Sequence, residues 1–185
     1  MRVQEINPAK LATLFRKQYE MCNVKEGETI ALLSDLTSRR EYVQAAFAAA
    51  SELGADTYEL CVNSTPSWTK VGVETIGACK GTIDVLAAAD MLVCLHIPLF
   101  TKWMKSVRSA GTRVLMIIDA PDDLEQLMAP PGLREAVIHA GQRLEQTKTV
   151  RVTSDAGTDL TYDCGEYPTM IQYGYADAPG RFDHW

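Results

Sequence analysis

The chain has 185 residues, 46% of them hydrophobic and 23% charged, with a formal net charge of −6. That is apolar material enough for an independently folding core, in a length that suits one large domain or one domain and the start of another. The acidic balance, with no run of Lys or Arg, excludes nucleic acid and anionic membrane as main partners. No apolar run approaches a membrane span and the first residues lack a signal region, so a cytoplasmic protein is expected.

In chain order, Asn7 and Pro8 open a helix as cap and first helical residue, with Leu11, Leu14, Phe15 and Met21 at helical spacing. Residues 29–34 form a short apolar run of buried-strand type. Ser38 and Glu41 read as a capping box that starts a helix with Tyr42, Ala46, Phe47, Ala50 and Leu53 inward and Gly54 closing it. Residues 58–62 give a second strand, followed by a long connection through Trp68 and Gly72 and a short helix around 83–89. Residues 91–96 give a third strand, 99–109 a helix capped by Gly111, and 113–119 a fourth strand. Helical stretches at 122–128 and 133–145 are split by Pro130 and Pro131.

Strands alternating with helices make βαβ units, so the expected class is α/β, a mainly parallel doubly wound sheet with helices on both faces. After Thr147 the pattern changes to two alternating strands, 150–153 and 159–162, around a turn at 154–157. An α/β domain is therefore expected over 1–146 and the start of a β-rich second domain over 147–185. The last stretch, 173–185, fits neither helical nor strand period. It reads as a supported aromatic loop of the kind that carries sites, with a turn at Pro179 and Gly180.

Ligands of open parallel sheets bind beyond the carboxyl ends of the strands, here Ser34 and Asp35, Asn63 and Ser64, Leu95 and His96, and Asp119. There is no glycine-rich dinucleotide fingerprint, P-loop or nucleophile elbow. Five Cys, without paired spacing, read as reduced and mostly buried thiols. His96 ends an apolar strand and reads first as a structural histidine. Cys94 shares its strand face, but two ligands make no metal site. His139 reads as a surface or packing residue. His184, beside Asp183, reads as a general acid or base oriented by a carboxylate.

The run 173–185, with 88–93, Leu95 and His96, 111–115, 154–159 and 165–168, resembles the 2,5-dihydroxypyridine 5,6-dioxygenases of nicotinate breakdown. The resemblance spans most of the chain and keeps the family's order. Residues 157–160 are shared with the metallo-aminopeptidases of related fold. The resemblance implies an Fe(II)- and O2-dependent oxidoreductase that cleaves an aromatic N-heterocycle, with His184 as acid–base catalyst and His96 and Leu95 in the substrate pocket. Gln172 stands where the family has a Glu near the substrate, and an amide can hydrogen-bond a ring hydroxyl without taking its proton. Family chains run to about twice this length with their iron ligands in the further half, so this chain reads as an N-terminal part, inactive alone and binding no catalytic metal itself. A homo-oligomer is expected. Two other readings stand beside it, the N-terminal domain of a metallo-aminopeptidase and a non-catalytic α/β module that binds a small molecule or a partner.

Overall fold

The computed structural model describes residues 7–63, 76, 80–165 and 168–185. In chain order these form α1 (Pro8–Met21), β1 (Thr29–Asp35), α2 (Arg40–Glu52), β2 (Asp56–Val62), α3 (Lys80–Ala87), β3 (Met91–Cys94) and α4 (Lys102–Ser109). They continue as β4 (Arg113–Met116), α5 (Pro121–Leu124), α6 (Leu133–Glu145), β5 (Thr149–Thr153), β6 (Asp159–Asp163) and β7 (Phe182–His184). Five strands make a parallel sheet in the order β2-β1-β3-β4-β7. The chain moves from β1 outward to β2, then crosses back to β3 and continues the other way, so the topological switch point lies between β1 and β3.

Strand alternation divides the apolar residues between two cores. Ile30, Leu32, Met91, Val93, Leu115, Ile117 and Trp185 pack with Leu11, Phe15, Tyr42 and Ala46 of α1 and α2. Ala31, Leu33, Leu92, Cys94, Val114, Met116 and Phe182 pack with Leu86, Trp103, Met104 and Val107 on the side of α3 and α4. Burial on both faces is why β1, β3 and β4 are continuous apolar runs. The expected doubly wound α/β class is the observed one. Among the described residues no helix is long and apolar enough to cross a membrane.

Several local expectations change. Asn7 does cap α1, its side-chain oxygen accepting from the amides of Ala9 and Lys10 at 3.1 and 3.2 Å. Ser38 does not cap α2: the cap position falls on Arg39, which makes no side-chain bond there. The inward face of α2 carries Tyr42, Val43, Ala45, Ala46, Ala49 and Ala50, and Phe47 is exposed. The helix expected from residue 99 begins at Lys102, because Phe100 adopts a left-handed φ of 61° that no α-helix accommodates. The connection through Trp68 and Gly72, and Cys79, lie outside the described residues.

The terminal run is a strand as well as a loop. Ala178, Pro179, Gly180 and Arg181 form a turn closed by the Arg181 amide on the Ala178 carbonyl at 3.0 Å, with Gly180 at φ +69°. Proline at the second position and a left-handed glycine at the third are the residues a type II turn requires. The Gly180 amide donates to the Gly111 carbonyl at 2.8 Å, and Arg108 Nε donates to the Gly180 carbonyl at 2.8 Å. A Cβ at Gly180 would stand 2.7 Å from the Arg108 carbonyl oxygen, which is backbone and cannot swing away. Gly180→Ala is expected to lose about 1–3 kcal/mol from the combined left-handed strain and clash, read as a lower urea midpoint at unchanged m-value.

The described chain separates into two compact units, one of residues 1–128 with 174–185 and one of residues 129–173. The sequence placed a boundary near Gln146; in the structure α6 groups with the hairpin, and 174–185 return to the first unit. Within the second unit β5 and β6 pair antiparallel from Thr149↔Asp163 to Thr153↔Asp159. Gly157 at φ 97° closes their turn, and a bidentate Arg151–Asp159 pair at 2.8 and 2.9 Å bridges the strands. Gly141 of α6 stands where a Cβ would fall 2.6 Å from Ile171, so that helix can pack closely only on glycine.

The thiols are less uniformly buried than expected. Cys22 and Cys94 are buried, Cys164 is half-buried and Cys61 is exposed. Burial pushes the Cys22 thiol up to about 12, although the Ala176 amide donates to its sulfur at 3.3 Å, and burial pushes Cys94 up as well. An aromatic disulfide reagent at neutral pH should therefore label Cys61 and Cys164 in the native protein, and Cys22 and Cys94 only on unfolding.

Candidate functional site

At the carboxyl end of β1, Asp35 accepts from the Thr37 amide and hydroxyl, both at 2.8 Å, and its own amide donates to Ser38 Oγ at 2.9 Å. This is why Ser38 is unavailable as a helix cap: its oxygen organises the β1–α2 turn. The Ser38 hydroxyl lies 3.1 Å from Asp35 Oδ1 and 3.0 Å from the Leu95 carbonyl, and its one proton serves one of them at a time. Tyr42 on the first turn of α2 donates to the Asp119 carbonyl at 2.5 Å. The loop after β1 is thus tied to the chain leaving β3 and to the chain leaving β4. Between these ties lies an open cleft of about 450 Å³ lined by Thr37, Ser38, Arg39, Tyr42, Leu95, Ile117 and Ile118. It occupies the switch point, where doubly wound sheets place their ligands.

Beside it, the middle of edge strand β2 carries a charged cluster at Glu59. Arg40 holds Glu59 through two bonds, at 2.5 and 3.0 Å, and the Ser34 hydroxyl donates to the same carboxylate. The Arg40 hydrogen bonds hold the Glu59 carboxyl below the usual glutamate range, with Ser34 and the Arg40 charge adding to the effect. A carboxyl whose folded value is depressed stabilises the fold above its unfolded value, and that contribution fades as pH falls through the folded value. Glu59→Gln should accordingly flatten the acid limb of the stability–pH curve while leaving its neutral-to-alkaline shape unchanged, measured by urea titration across pH.

His184 lies at the far edge of the same carboxyl side. β7 pairs with β4 through Met116↔His184, and the Trp185 amide donates to the Met116 carbonyl at 3.0 Å. Neighbouring side chains of a strand leave on opposite faces, and this separates His184 from Asp183. Asp183 is fully buried. It pairs with Arg181 at 2.7 Å and accepts the amides of Gly174 and His184 at 2.8 and 3.0 Å. Its carboxylate is spent on holding 174–185 in place. The carboxylate that faces the imidazole is Asp119, whose Oδ2 lies 2.8 Å from His184 Nε2. The orientation of His184 by Asp183, expected from their adjacency, is therefore corrected to orientation by Asp119, sixty-five positions away in sequence. Only the β4–β7 pairing reveals it.

The expected site residues come together in part. Leu95, whose amide donates to the Leu33 carbonyl at 2.9 Å, lines the cleft. His96 follows it and is buried, with 5% of its surface exposed. His184 closes the row of paired residues Cys94, Met116 and His184 across β3, β4 and β7. Gln172 is exposed and belongs to the second unit, next to the buried Tyr173. His139 is exposed on α6. Among the described residues, no three His, Cys, Asp or Glu side chains converge as a group that could hold a metal ion.

A family model described as NicX, 2,5-dihydroxypyridine 5,6-dioxygenase, matches residues 10–185. A curated 2,5-dihydroxypyridine 5,6-dioxygenase of Pseudomonas putida KT2440 is 29% identical over 97% of this chain and 54% of its own length. The solved structure of 2,5-dihydroxypyridine dioxygenase from that organism superposes with a TM-score of 0.88 over the same shares, again at 29% identity. The chain spans about half the length of the curated relative it matches.

Proposed function

The chain belongs to the 2,5-dihydroxypyridine 5,6-dioxygenase family, and on that premise we propose that it supplies the acid–base and pocket-lining part of an oxidoreductase that opens a hydroxylated N-heterocyclic ring with O2. The observation that carries this reading is His184. It lies within the matched region, 2.8 Å from the Asp119 carboxylate, at the carboxyl end of the sheet, and it is not one of the residues lining the cleft. An imidazole held by a carboxylate can take a proton from a ring hydroxyl and return it later, which is the proton traffic that ring opening demands. Leu95 presents an apolar wall suited to a flat ring, and His96 follows it in the bend after β3.

A dioxygenase relative suggests a metal cofactor, and ferrous iron, which activates O2 toward an aromatic substrate, is the metal proposed. The described residues of this chain do not fit such a centre. Its ligands are assigned to the part of the family's length that this chain does not span. The exposed strands β5 and β6 are read as the beginning of a β-rich second domain. We read the protein as a cytoplasmic homo-oligomer of nicotinate breakdown, with neither nucleic acid nor membrane as partner, the latter in keeping with its net charge of −6.

The test is oxygen uptake by the gene's product, with whatever follows residue 185, purified with ferrous iron and given 2,5-dihydroxypyridine. Equimolar loss of O2 and substrate is the expected result. Cleavage of peptides without O2 consumption, or binding without turnover, would replace this reading.

A further inference from the structure

We propose that Asp119 is the positioning residue of His184, fixing the neutral imidazole with its proton on Nε2 so that Nδ1 is the nitrogen that receives the substrate's proton. The inference rests on the acid–base reading of His184 and adds to it which nitrogen works and what selects it. Nε2 of His184 and Oδ2 of Asp119 are 2.8 Å apart, both atoms are shut off from water, and neither has an aligned hydrogen bond elsewhere. A buried donor and a buried acceptor left in this way each destabilise the fold. One N–H placed between them satisfies both, and a small rotation of the ring brings it into line. The opposite tautomer would set two lone pairs against each other at the same distance.

The backbone around Asp119 is built to hold that geometry. Its carbonyl takes the Tyr42 hydroxyl at 2.5 Å. The Ile117 amide donates to the Cys94 carbonyl at 2.9 Å, and Trp185, the residue after His184, is clamped by its amide on Met116 and by its indole Nε1 on the Leu124 carbonyl at 3.1 Å. His184 thus ends β7, and Asp119 stands in the bend just past β4 with its backbone carbonyl tied to Tyr42. The imidazole keeps about a third of its side-chain surface open, so a ligand can reach it while Nε2 stays covered.

The experiment reads the tautomer directly in this chain, labelled with 15N-histidine, by long-range proton–nitrogen correlation above the pH of imidazole protonation. His184→Gln identifies the His184 signals among the three histidines. The expected result is a proton on Nε2 in the wild type. In Asp119→Asn the side-chain amide can donate to Nε2, so the proton should move to Nδ1. In the O2-consuming enzyme, Asp119→Asn should lower kcat by about 10²-fold, the low end for loss of a functioning acid–base group, with little change in KM. Asp119→Glu, which keeps a carboxylate, should recover part of that loss. A wild-type proton on Nδ1 would overturn the assignment whatever the variants do, as would an Asp119→Asn protein with unchanged tautomer and rate. An Nε2 proton in a protein that consumes no O2 would leave the pair standing and remove the dioxygenase reading instead.

Discussion

Trp185→Ala is expected to lower unfolding stability by about 3–5 kcal/mol, the range for removing a large aromatic from a packed core. The side chain is 1% exposed, its ring centroid lies 5.3 Å from that of Phe15 in an edge-on contact, and its Nε1 donates to the Leu124 carbonyl. Truncation empties the space between α1 and the sheet and leaves that carbonyl without its donor, so the cavity and the lost bond act together. Urea denaturation followed by circular dichroism checks it. A loss under 1 kcal/mol would mean that residue 185 is not the wedge between α1 and the sheet. Trp185→Phe, which keeps most of the volume but loses the donor, should fall between the two.

His184→Ala should leave the fold intact, its stability loss confined to the bond given up by Asp119, because its side chain is one-third exposed and lies outside both apolar cores. In the O2-consuming enzyme it should lower kcat by about 10²–10⁴-fold, the span for a lost general acid or base. His96→Ala is the contrasting case. If His96 meets the substrate in the ground state, KM rises while kcat changes little. Its burial adds a stability loss that denaturation separates from the kinetic effect. Near wild-type kcat for His184→Ala across pH would remove the histidine from the mechanism.

How much of this was legible in the sequence depends on the range of the interaction. Buried strands declare themselves as apolar runs, so β1, β3 and β4 were readable, and so was the Asn7 cap, whose partners lie two and three residues on. Ser38 shows where local rules fail. The Ser and Glu spacing is a capping signature, yet Asp35 and Leu95 compete for the same hydroxyl, and Leu95 is fifty-seven residues away. Phe100 is similar, because nothing in its neighbours announces a left-handed backbone. The site followed the same divide. Leu95, His96 and His184 could be named as candidates because strand ends and a long terminal motif mark them. Asp119 could be seen only as a strand end, since its pairing with His184 exists through sheet register alone. Asp183 was the obvious carboxylate by adjacency, and the two-residue repeat of a strand turned it the other way.

The position of β7 has a consequence for the order in which the molecule is made. Strand β4 has β3 on one side, and its other edge is filled only by residues 182–184, some seventy positions later in synthesis. Until those residues emerge and dock, Val114 to Met116 offer unpaired amides and carbonyls along an apolar strand, the kind of edge that recruits other chains. The same docking event carries His184 to Asp119. Sheet closure and assembly of the histidine–carboxylate pair are therefore one step: a nascent chain that has not yet protected its edge also lacks that pair, and aggregation during expression and loss of the pair should rise together in variants that weaken the Pro179–Gly180 turn.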